Sequence, residues 1–142
     1  MTDAAVESGT LKVPSSFWIV AVLGLLWNCF GAYLYMLARL DPVTALAGVD
    51  PAMRDYVANQ PLWANIGYGL GIWGSFVGSV AMVIRSRHAV PLFMLSFVGA
   101  AVSHLGQAMA GVIPIPLATV IMVVIAFLWW FARRSQATGI LR

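Results

Sequence analysis

Five polar side chains in an otherwise apolar chain have the chemistry to recognise a small molecule: Tyr35, Asn65, Tyr68, His104 and Gln107. Phenol, amide and neutral imidazole all donate and accept hydrogen bonds without a fixed charge. Convergent groups of this kind in an apolar cleft are the usual make-up of a ligand site. An uncharged lining suits hydroxyls and disfavours ions. The alternative for each is packing, because polar side chains also hydrogen-bond between helices in lipid. Ser103 and Gln107 stand close enough in sequence to give His104 such a bond, and Asn28 reads as a residue that fixes register. His104 is the only His in an apolar stretch, so haem ligation or proton relay is also open to it. A bis-His haem needs a second His on a facing helix. His88 lies in a basic turn, so haem would require a dimer or a Met ligand.

Nothing in the sequence assembles a reaction centre. There is no Cys–His pair in reach, no metal-ligand spacing, no phosphate-binding glycine loop and no nucleophile with an evident base. The expectation is a non-enzymatic protein with no cofactor and no metal. No Asp or Glu falls inside an apolar stretch, which argues against proton-coupled transport built on a buried carboxylate.

These groups must be carried by membrane helices. Of the 142 residues, 61% are hydrophobic and 9% charged, against about a quarter charged in soluble domains. A spanning helix takes roughly 20 apolar residues. Four such stretches are legible, at about 16–40, 61–84, 89–111 and 117–132, the last stopped by Arg133 and Arg134. The expected fold is an all-α integral membrane protein: a single four-helix domain over 16–132, with tails at 1–15 and 133–142. The connection 41–60 contains Asp41-Pro42 and Asp50-Pro51, each an N-cap followed by proline at the first helical position. Met53, Tyr56 and Val57 share a face, so 51–59 reads as a short amphipathic helix on the outer surface. It is a connector or, alternatively, a lid.

The net charge of +3 does not signal nucleic acid. Lys12, Arg85, Arg87, Arg133, Arg134 and Arg142 flank the spans on one side, and Arg39 and Arg54 sit on the other beside Asp41, Asp50 and Asp55. By the positive-inside rule both termini and the 85–88 turn are cytoplasmic. Trp63, Trp129 and Trp130 fit interfacial belts. The lone Cys29 excludes an intrachain disulfide, and the acidic start with its long apolar stretch does not read as a cleavable signal peptide.

Helices in lipid associate through small residues and a few hydrogen bonds. Gly24, Asn28, Gly31, Tyr35 and Ala38 recur at spacings 4, 3, 4, 3 on the first span; Gly67, Gly71, Gly74 and Gly78 at 4, 3, 4 on the second. Ser96, Gly99, Ala100, Ser103, Gly106 and Gln107 share a face of the third, with His104 at its edge. The fourth span is bulky and apolar and should be the most lipid-exposed. More than one small-residue face suggests a homodimer, or docking of the second span's glycine face onto a larger membrane complex as an accessory subunit.

Trp27-Asn28-x-x-Gly31, Pro61-x-Trp63, Ile72-Trp73-Gly74 with Gly78-Ser79, and Arg85-x-Arg87-x-Ala89-Val90-Pro91-Leu92-Phe93 with Ser96 resemble a group of small four-span bacterial membrane proteins often labelled "sugar transporter". The similarity covers roughly residues 16–100. It implies a small bacterial membrane protein of the same four-span architecture; the handling of a small neutral solute is what the uncharged polar set suggests. Many members carry Asp-Tyr where this chain has Leu34-Tyr35, so any role of that Asp is absent here. A haem- or quinone-linked redox protein is a further alternative.

Overall fold

The computed structural model describes residues 12–142; expectations for the first eleven residues lie outside them. The described chain is all-helical: α1 Ser15–Leu40, α2 Pro42–Ala45, α3 Pro51–Asn59, α4 Leu62–Val83, α5 Ala89–Met109 and α6 Ile115–Ala137. Four of these, α1, α4, α5 and α6, are long and apolar enough to cross a bilayer. They alternate in direction. The start of α1, the α4–α5 turn and the end of α6 mark one end of the bundle, here the tail end. The α1–α4 connection and the α5–α6 turn mark the other, the loop end.

The tightest pair is α4 on α5, and the glycines explain it. A Cβ on Gly67 would fall 2.8 Å from the Gly99 carbonyl oxygen, and one on Gly99 would fall 2.7 Å from the Gly71 nitrogen. Only a residue without a side chain permits that approach. The hydroxyl of Ser96 uses the proximity to donate to the Gly71 carbonyl at 2.6 Å. Lower in the seam, Gly74 faces Ser96 and Gly78 faces Phe93. The glycine face of the second span thus packs against α5 within the chain.

The first-span seam divides its contacts. Asn28 donates to the Gly24 carbonyl at 3.0 Å and to Ser79 Oγ on α4 at 2.7 Å. Gly24 itself faces Leu128 of α6, and Gly31 meets only Ile72, loosely. A buried apolar cluster closes the tail end: Phe17 and Ala21 of α1, Ala81 and Met82 of α4, Ala89 and Phe93 of α5, Leu128 and Ala132 of α6. Over its most apolar stretch α6 is less buried than the other long helices, and over their whole lengths α1 and α6 bury five residues each.

The C-terminal part of the chain departs from expectation. Asp41 and Asp50 do cap α2 and α3, accepting from the amides of Thr44 at 3.1 Å and Ala52 at 2.9 Å. However, α6 is not stopped by Arg133 and Arg134. It begins at Ile115 rather than Leu117 and continues to Ala137, because arginine is a good helix former and an interface charge ends a hydrophobic stretch without ending a helix. The chain then turns at Gly139, φ 77°, and residues 140–142 return to the α4–α5 turn instead of forming a tail. There the Arg142 amide donates to the Arg85 carbonyl and the Arg87 amide to the Arg142 carbonyl, both at 2.9 Å. Arg85 Nε adds a bond to the Ile140 carbonyl, and Leu141 is buried in the tail-end cluster. Arg85 holds a left-handed φ of 61°, a conformation that favours glycine, and so brings its side chain and carbonyl to this clasp.

Candidate functional site

Three of the five expected ligand residues meet at the loop end, and a fourth residue joins them. Tyr35 and Arg39 are one helical turn apart on α1, and Asn65 and Tyr68 are similarly paired on α4, so each pair presents on one face. The Tyr35 and Tyr68 rings pack with centroids 5.0 Å apart and planes tilted by 48°. Trp73 meets the Tyr35 ring edge-on at 6.0 Å. The Arg39 guanidinium lies over the Tyr35 ring, 5.1 Å from its centroid, and donates to Asn65 Oδ1. The Tyr35 hydroxyl lies close to Gly69, where a Cβ would approach it to 3.4 Å.

His104 and Gln107 do not join this cluster. They pair with each other on α5, His104 Nδ1 lying 3.1 Å from Gln107 Oε1. His104 also borders a shallow recess against α6 with Ile115, Ala118, Thr119 and Met122. The single five-residue pocket expected from the sequence is therefore two separate places. The cause is the α4–α5 seam. With Gly67 pressed on Gly99 the two helices close on each other, and Tyr68 packs on Tyr35 of α1 while His104 borders residues of α6. His104 Nε2 is buried without a hydrogen-bond partner. His88 precedes α5 and His104 lies sixteen residues further along, about 24 Å at the helical rise, so the two cannot share one iron within the chain.

The lining is also not uncharged. In the sequence Arg39 reads only as a topology charge, yet its side chain donates to an amide and lies over an aromatic face. The neighbouring carboxylate of Asp41 is engaged elsewhere, and hydrogen bonding to the Thr44 side chain and amide holds it below the usual carboxylate range. The signal for Arg39 was present: it stands four residues after Tyr35, the spacing that lays a cation over a ring on a helix.

A further contact caps the loop end. Tyr56 of α3 reaches Gly106 of α5, where a Cβ would come within 2.5 Å of its hydroxyl. Met53, Tyr56 and Val57 are half-buried, whereas Arg54, Asp55, Ala58 and Asn59 are exposed. The Tyr56 hydroxyl is buried with no hydrogen-bond partner, and desolvation raises its pKa above the ordinary phenol value. Among the described residues no cluster of three or more His, Cys, Asp or Glu side chains could hold a metal ion. No family model matches the chain, and neither a curated protein nor a solved structure matches it significantly.

Proposed function

We propose that this chain is a multi-pass inner-membrane protein, with both termini cytoplasmic, that binds a small hydroxylated solute at the loop end between α1 and α4. It works as a binding or transport protein rather than an enzyme. The observation that carries the reading is Arg39, whose guanidinium is held by Tyr35 and Asn65, both neutral. A cation held by neutral partners keeps its charge available to a ligand. Asn65 and the two phenols would serve hydroxyls, and the half-buried aromatic rings would receive the apolar face of a sugar-like ring. Arg39 turns the expectation of a strictly neutral solute towards one that also carries an acid group, such as a sugar acid or hydroxy acid.

The test is a thermal-stability screen of the protein in nanodiscs against monosaccharides, polyols, sugar acids and short hydroxy acids. A sugar acid or hydroxy acid should raise Tm in the wild type, and Arg39→Gln should weaken its binding at least tenfold. This is the scale of one lost charge-assisted hydrogen bond, about 1.5–3 kcal/mol. Asn65→Ala should weaken acid and neutral solutes alike. A panel without effect on the wild type, or shifts indifferent to both substitutions, would remove the site.

A further inference from the structure

At the tail end of α6 two arginines are laid onto two tryptophans. Residues 129 and 133, and 130 and 134, stand one helical turn apart, so each guanidinium falls over the ring that precedes it. Arg133 Cζ lies 5.5 Å from the Trp129 centroid and Arg134 Cζ 5.7 Å from that of Trp130. A ring takes the face of a guanidinium and leaves its N–H edge for an oxyanion. The four side chains line an open recess of about 480 Å³, within the roughly 300–1,000 Å³ of small-ligand sites.

Two further features say what occupies it. Among the described side chains the surrounding charge has one sign: Lys12, Arg85, Arg87 and Arg142 share this end, whereas Asp41, Asp50 and Asp55 lie at the loop end. The apolar flank is continuous with the charge. Val120, Val123, Phe127 and Trp130 are exposed at spacings of three and four residues, and the next member of that stripe is Arg134. An acyl chain laid along this stripe would deliver its headgroup to the arginines, a feature that a free anion would not need. The geometry points to a binding site for the phosphodiester headgroup of an anionic glycerophospholipid, held by Arg133 and Arg134 over Trp129 and Trp130. It rests on the bilayer location proposed above.

The test is native mass spectrometry of the protein released from vesicles of equal parts phosphatidylglycerol and phosphatidylcholine. The wild type should retain phosphatidylglycerol in preference. Arg133→Gln with Arg134→Gln should cut that preference by about fivefold per arginine removed, the worth of one basic residue at an anionic surface. Arg133→Lys with Arg134→Lys should retain part of it. Equal retention of both lipids by the wild type overturns the site without any variant. So does displacement of the bound lipid by soluble glycerol phosphate at the same affinity, which assigns the recess to free anions. Alkaline carbonate extraction separates the two readings: release of the wild type from membranes overturns the bilayer location and the site together, whereas firm retention with no lipid preference overturns the site alone.

Discussion

Gly99 and Gly31 are both helical glycines on small-residue stripes, and the structure gives them opposite weights. A Cβ on Gly99 would strike the α4 backbone at 2.7 Å, whereas one on Gly31 would find its nearest neighbour, Ile72 Cδ1, at an ordinary 3.7 Å. Backbone cannot yield as a flexible side chain does, so Gly99→Ala should destabilise by about 1–3 kcal/mol, the cost of overpacking. Gly31→Ala should stay within about 0.5 kcal/mol. Denaturant titration in mixed micelles distinguishes them, and equal losses would mean that the α4–α5 approach is looser than described. Spacing alone made both residues legible as one kind of position. It could not rank them, because the distance between two backbones belongs to the pair of helices and not to either stripe. The same limit explains the ligand set. Tyr35 and Tyr68 meet, and Asn65 joins them through Arg39, but the separation of His104 and Gln107 depends on how α4 and α5 are rotated about their shared seam.

The short elements were more legible than the ends of the long ones. The caps at Asp41 and Asp50 and the helix over 51–59 follow from local hydrogen bonds and proline geometry, which act over a few residues. α6 ends beyond its apolar stretch because hydropathy marks where apolar character stops, and helical hydrogen bonding continues past it. The contact of α3 with α5 through Tyr56 was not legible at all, since nothing in sequence ties residue 56 to residue 106. It carries a pH dependence. The raised Tyr56 pKa means that the docked helix favours the neutral phenol, so its contribution is fully present below the unfolded pKa, about 10. It is lost as pH rises through the folded value. Docking of α3, followed by hydrogen exchange or protease cleavage within 51–59, should loosen above about pH 10. Tyr56→Phe should keep α3 docked and abolish that dependence, because the hydroxyl has no partner to lose. Loosening of Tyr56→Phe at neutral pH would show that the hydroxyl is satisfied after all.

Across the whole molecule, charge and direction agree. Alternating helices put the α4–α5 turn with the end of α6 and leave the α3 connection at the opposite end. The proposed orientation predicts that, in a Cys29→Ser background, Ala58→Cys reacts with an impermeant maleimide in intact cells. His88→Cys should react only after permeabilisation. Labelling of both from one side would contradict four crossings. The clasp between residues 140–142 and the Arg85–Arg87 turn is held by Leu141, 3% exposed, and Leu141→Ala should cost about 2–3 kcal/mol, the lower range for a buried leucine. A loss below about 1 kcal/mol in the same titration would show that the returning segment is only lightly seated.

That clasp also sets a condition on reporters. The amide and carbonyl of Arg142 are already engaged with the Arg85–Arg87 turn, so a fluorescent protein or affinity tag fused directly behind it starts from a docked residue. A bulky fusion without a spacer would pull on the bundle itself, and its brightness would report folding as much as sidedness. A flexible linker after Arg142 lets the two readouts be taken apart.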